Sequence, residues 1–180
     1  TIDGGVYENT STEFSGNDYR RCVWTVEGST TEINGGKFTS TNQVICINGD
    51  TDINNGEFKC IGNSEVLSNY AKTGVLTING GIFENTFTGD VDIDYRRCIW
   101  TAAGTTTEIN GGDYTNESVS QTLCFQGNAV ITNGVIENRG SGVGCFSSGN
   151  VRIENCMICA KRILFAKNGA TLKCTGGLYS

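Results

Sequence analysis

The sequence has no histidine and no proline, a single methionine, and no apolar run near the length of a membrane span. Without His, neither a Ser-His-Asp nor a Cys-His catalytic arrangement can be built. Zinc is equally poorly served, since Cys156-Met-Ile-Cys159 is the one C-x-x-C spacing and no four-ligand set accompanies it. The 13 basic residues are outnumbered by 19 acidic ones, giving a net charge of −6, which argues against general affinity for nucleic acid or an anionic membrane. Helical periodicity is missing too: outside a weak trace at 160–165, no stretch sustains the i, i+3, i+4, i+7 pattern for three turns. The chain starts at Thr1 without a signal peptide, so its first residues define no compartment. No cofactor is implied.

What the sequence does have is 25 glycines and a repeat. The phrase Ile-Asn-Gly-Gly-x-Phe recurs as IDGGVY from Ile2, INGGKF from Ile33, INNGEF from Ile53, INGGIF from Ile78 and INGGDY from Ile109. It then decays to ITNGVI from Ile131, IENCMI from Ile153 and CTGGLY from Cys174. Successive intervals are 31, 20, 25, 31, 22, 22 and 21 residues. A baseline near 21 is what one coil of a parallel β-helix consumes, and it is too short for helical-pair repeats of about 34 residues. An antiparallel sandwich would not give column-by-column identity at this period. The expected fold is therefore all-β: a right-handed parallel β-helix of seven to eight coils in a single domain, 1–180, with two longer coils. The low apolar content, 37%, suits a solenoid whose narrow core is lined from every coil.

Each column of the repeat has a physical reading. The leading Ile, with apolar residues two places before it such as Leu76, Val151 and Leu172, alternates with Glu32, Asp52, Glu108 and Arg152, so Ile faces inward and the charges outward. The third position holds only Gly or Asn, which predicts a tight bend with positive φ there. The sixth position (Tyr7, Phe38, Phe58, Phe83, Tyr114, Ile136, Ile158, Tyr179) reads as an internal stack. The second position (Asp3, Asn34, Asn54, Asn79, Asn110) reads as an amide ladder from coil to coil.

A longer duplication overlies the repeat, with halves 1–76 and 77–152. Shifting the chain by 76 residues aligns 1–40 with 77–116 at 24 identities. Both copies contain Asp-Tyr-Arg-Arg-Cys-Val/Ile-Trp-Thr, from Asp18 and from Asp94, in coils three rises apart. At about 4.8 Å per rise the copies should lie on one face, roughly 14 Å apart. Tyr19, Arg20, Arg21 and Trp24, with Tyr95, Arg96, Arg97 and Trp100, are the candidate binding residues. Aromatic rings beside Arg suit sugars or acidic glycans, and paired sites at fixed spacing suit a repeating polymer. The plainer reading is that the Trp rings cover a bend while the Arg residues pair with local acids.

Nine cysteines leave at least one outside any intrachain pair. Five of them, Cys22, Cys46, Cys98, Cys124 and Cys145, each precede an apolar residue and read as one stacked column of small hydrophobes. Unpaired buried thiols fit assembly in a reducing cytoplasm, as for a virion component. For catalysis, the densest acidic cluster is Asp90, Asp92 and Asp94, read as either a solvated insert or a calcium site. Asp92 with Arg96 or Arg97 is the one lyase-like grouping that can be assembled. No catalytic residue is assigned.

The repeat resembles the imperfect coils of the pectate-lyase-like β-helix superfamily. It is most similar to Ile-Asn-Gly-Gly-x-Phe repeat surface proteins of bacteria and to β-helical phage tail fibres and spikes. That resemblance implies an extracellular adhesin or fibre domain on a bacterial surface or in a virion, contacting a polysaccharide or cell-surface glycan. Its alternative is a polysaccharide lyase or glycoside hydrolase of the same fold. Open solenoid ends would be covered by neighbouring segments or by subunits, for instance in a homotrimer.

Overall fold

The computed structural model describes residues 1–11, 20–91, 94–167 and 169–180. Among the described residues all regular structure is β-strand, wound as a parallel β-helix with three strands per coil. Coils one to four run β1 (Val6–Asn9), β2 (Val23–Trp24), β3 (Thr30–Ile33), β4 (Lys37–Ser40), β5 (Ile45–Ile47), β6 (Asp50–Ile53), β7 (Glu57–Cys60), β8 (Leu67–Asn69), β9 (Val75–Ile78), β10 (Ile82–Asn85), β11 (Ile99–Thr101) and β12 (Thr106–Ile109). The later coils are β13 (Asp113–Asn116), β14 (Gln121–Phe125), β15 (Asn128–Thr132), β16 (Val135–Asn138), β17 (Val143–Ser147), β18 (Asn150–Glu154), β19 (Met157–Cys159), β20 (Arg162–Ala166), β21 (Thr171–Thr175) and β22 (Leu178–Tyr179). Every third strand pairs in parallel, giving sheet 1 (β1 through β22), sheet 2 (β2 through β20) and sheet 3 (β3 through β21).

Period-two alternation decides what enters the core. In sheet 3, Ile33, Ile53, Ile78, Ile109, Ile131 and Ile153 form one register column, all buried, while Glu32, Asp52, Glu108 and Arg152 point out. In sheet 1 the rings of Tyr7, Phe38, Phe58, Phe83 and Tyr114 stack face over face, with centroids 4.7, 4.9, 4.8 and 5.0 Å apart. Such close parallel stacking is imposed by the strand spacing. The amide ladder is also present: Asn34, Asn54, Asn79 and Asn110 each donate Nδ2 to the residue one coil before, at 2.9, 2.7, 2.8 and 2.9 Å, beginning at Asp3.

The bend differs from the expectation. Positive φ falls on the fourth position in the first five copies (Gly5, Gly36, Gly56, Gly81 and Gly112, from 104° to 140°) rather than the third. That region belongs to Gly, and a Cβ at Gly36 would press on the Phe38 ring and on the Gly5 carbonyl. At Asn133 and Asn155 the positive φ moves to the third position, at 59° and 53°, values an Asn tolerates. The fourth position is then released from Gly, which is why Cys156 can occupy it.

The two 31-residue coils place their extra length between sheets 1 and 2, before β2 and before β11. This corner carries a feature that periodicity alone had left unread. Asn85, Asn116 and Asn138 point inward at the ends of sheet 1 strands, and their Nδ2 groups donate to carbonyls of the corresponding turn one coil before: Ser64 at 2.6 Å, Arg96 at 2.7 Å and Ser120 at 2.9 Å. Buried turn carbonyls need such partners, so an inward Asn at this place is structural.

Candidate functional site

Sheet 2 carries the candidate site. Its outward register column runs Trp24, Cys46, Ser68, Trp100, Cys124, Phe146, Phe165. Trp24 and Trp100 are therefore three strand steps apart on one face, roughly 14 Å at the usual strand spacing. Trp24 is 54% exposed. Trp100 is half-buried, tilted 54° against Tyr70 with centroids 5.0 Å apart.

The positions three residues earlier supply the polar partners: Arg21, Gln43, Glu65, Arg97 and Gln121. Arg21 Nε donates to Gln43 Oε1 at 2.6 Å, and Arg97 Nε donates to Gln121 Oε1 at 2.8 Å. The two Arg residues thus make the same contact one coil onward, and each Trp has a Cys as its onward register neighbour. The duplication therefore continues into the next coil as Arg-Trp over Gln-Cys. The 76-residue alignment missed Gln43 and Gln121, although counting back two places from Ile45 and Leu123 would have found them.

Between the copies lies a polar floor. Gln43 Nε2 donates to Ser68 Oγ at 2.9 Å, Ser68 Oγ donates to Glu65 Oε2 at 3.4 Å, and Arg97 Nη1 bonds Glu65 Oε1 at 3.1 Å. Arg97 also donates from Nη2 to the Asp94 carbonyl at 3.2 Å. A continuous network joins the first Arg to the second across coils one to four, and Arg97 carries it on to Gln121 in coil five. The strand ladder sets the ring spacing, and the network ties the side chains between the rings together through part-buried bonds.

The remaining candidate residues are placed as follows. Arg96 is 5% exposed, covered by the insert before β11. Its Nε and Nη2 bond both Asp94 carboxylate oxygens at 2.9 and 3.0 Å, and Nη1 reaches the Phe87 and Gly89 carbonyls. Arg96 fastens the insert before β11 rather than facing a ligand. Arg20 donates to the Ser11 carbonyl at 2.9 Å, and the Arg21 guanidinium lies 5.8 Å from the Trp24 ring centroid. Tyr95 is exposed, its backbone N–H held by Asn63 Oδ1 at 3.2 Å. Tyr19 and Asp92 lie outside the described residues. Of the calcium candidates, Asp94 is engaged by Arg96, and Asp90 is exposed on a segment that is not a strand. Among the described residues no three acidic, His or Cys side chains converge on a metal position.

The cysteines do not form one column, because the turn before sheet 2 varies in length and the apolar side chains, not the thiols, set the register. Cys22 and Cys98 stand one place before the Val23–Ile99 core column, Cys46 and Cys124 share the Trp column, and Cys145 lies in the core column itself. All nine are free thiols. Burial pushes Cys124 up to about 11 despite Arg97, and it raises Cys46 against the pull of Arg21. Both are neutral and act as an apolar floor beside the Trp rings. In Cys156-Met-Ile-Cys159 the first thiol is buried and the second exposed, on opposite faces of the strand.

Among the described residues, no helix is long and apolar enough to cross a membrane. Comparisons with protein-family models, with curated proteins and with solved structures found no match.

Proposed function

We propose that this β-helix is a non-enzymatic surface-binding domain, of the adhesin or phage fibre kind, whose sheet 2 grips a glycan through Trp24 and Trp100. The observation that carries the reading is the doubled Arg-Trp over Gln-Cys unit, held three rungs apart by the strand ladder and joined by the Arg21–Gln43–Ser68–Glu65–Arg97 network. Aromatic faces receive the apolar faces of sugar rings, and the amides and hydroxyls between them are suited to ring hydroxyls. Two platforms at fixed separation favour a repeating polymer by effective concentration. The described carboxylates nearest the strip, Glu65 and Asp94, are each bonded to a guanidinium. That leaves neither placed as the free acid or base a glycosidase needs.

The test is a panel of polysaccharides read for retention of the protein and for release of reducing or unsaturated ends. Retention without new ends, abolished in W24A/W100A, is the expected result. New ends that disappear on substitution of Asp92, Arg96 or Arg97 would replace this reading with the lyase or hydrolase one. Retention that survives W24A/W100A would remove sheet 2 as the binding face.

A further inference from the structure

A second concavity lies on a different face. The outer surface of sheet 3, across β12, β15, β18 and β21, forms a trough of about 390 Å³. One rim is the polar column Thr106, Asn128, Asn150 and Thr171, in which Asn150 Nδ2 donates to Asn128 Oδ1 at 3.2 Å. In the parallel outward column Val130 stands between Glu108 and Arg152, and Lys173 follows Arg152 in register. The small Val130 side chain, flanked by long charged ones, makes the depression.

The charges here are unusual for the chain. Residues 150–180 hold five basic side chains (Arg152, Lys161, Arg162, Lys167, Lys173) and one acid, Glu154, for a net +4, while residues 1–149 carry −10. Along sheet 3 the outward column passes from Glu32 and Asp52 at one end to Arg152 and Lys173 at the other. Arg152 and Lys173 are like charges on directly adjacent strands, a destabilising arrangement by itself. Glu154 reaches Arg152 at 3.2 Å, but with side chains 31% and 56% exposed the pair holds the guanidinium weakly.

We propose that this trough is an acidic-sugar site. Arg152 and Lys173 take a carboxylate, the Asn128 and Asn150 amides with the Thr106 and Thr171 hydroxyls take ring hydroxyls, and Val130 is the floor under the ring. A bound carboxylate removes the Arg152–Lys173 repulsion, and the basic end of an otherwise acidic protein steers polyanions to this place. The site is separate from the Trp24–Trp100 strip and stands or falls independently of it.

The experiment compares binding to carboxymethyl-dextran and to unmodified dextran, which share a backbone and differ in carboxylates. The intact chain and three variants are used, each checked for native circular dichroism. R152Q/K173Q should bind carboxymethyl-dextran about tenfold more weakly, the loss expected for charge-assisted contacts. V130W, which fills the floor without changing charge, should weaken it comparably. K161Q/K167Q, with the same loss of charge on the coil that carries Lys173 but outside the trough, should stay within about twofold. The proposal is overturned if R152Q/K173Q and V130W bind like the parent chain, or if K161Q/K167Q loses as much as R152Q/K173Q. The first result removes the site, and the second reduces it to general ion exchange.

Discussion

Glu65 and Glu57 both form ion pairs between coils, yet their removal should have very different consequences. The Lys37–Glu57 pair, at 2.8 Å, has side chains 64% and 54% exposed. The Arg97–Glu65 pair, at 3.1 Å, has side chains 17% and 9% exposed. Truncating Glu57 removes an interaction that solvent screens and should cost at most about 1 kcal/mol. Truncating Glu65 leaves Arg97 largely buried without its carboxylate and takes an acceptor from Ser64 and Ser68. That kind of loss costs about 3–5 kcal/mol. For a chain of this size it corresponds to a fall in melting temperature of roughly 6–20 °C. E65A and E57A, with R97A and the E65A/R97A double variant, are to be compared by thermal unfolding followed at the β-sheet circular dichroism band. The double variant should be clearly less destabilised than the sum of the singles, since removing both charges leaves neither stranded. Equal shifts for E65A and E57A, or strict additivity in the cycle, would refute the claim that Glu65 and Arg97 form a buried, coupled pair between the two tryptophans.

Three further outcomes follow from the same geometry. F58A removes a ring stacked on both Phe38 and Phe83 and should cost about 3–5 kcal/mol in urea unfolding; a loss under about 1 kcal/mol would contradict the stacked core. Burial pushes Cys60 and Cys124 from 9.0 up to about 11. Unfolded thiols ionise first as pH rises, so stability is whole below about pH 9 and is lost progressively towards pH 11, by roughly 3 kcal/mol per thiol. A C60A/C124A variant should show a shallower fall in urea midpoint between pH 8 and pH 11, and an unchanged fall would exclude these thiols as its cause. In the folded protein, Cys159 should react fastest with a thiol reagent, being the exposed one, and Cys98 and Cys145 slowest; mass spectrometry of peptides from a timed labelling reads the order directly.

The fold was legible because the repeat is written in local chemistry. Ile33 and its equivalents alternate with charges, the aromatic sixth position recurs once per coil, and the Asn of the second position has an amide partner wherever coils stack at strand spacing. Each is decided by one residue and its counterpart a coil away, so composition and period suffice. The bend was placed one residue early because Gly occupies both the third and fourth positions in most copies. Which of the two takes positive φ depends on how the chain clears the ring below, as at Gly36 over Phe38.

Register between coils of unequal length was a different matter. The five cysteines share a sequence context, but the turn before sheet 2 differs from coil to coil, and burying Val23, Ile45, Leu67, Ile99, Leu123 and Cys145 took precedence over aligning thiols. The same packing carried Gln43, Ser68 and Glu65 into a strip between the two tryptophans, and it turned Arg96 onto Asp94 while leaving Arg97 in the strip. The sequence by itself determined a coiled parallel β-structure and two tryptophans on one face, because those depend on period and residue type. Which polar side chains meet between them was decided only by the tertiary structure, because it depends on how loops of different length are absorbed when the core column closes.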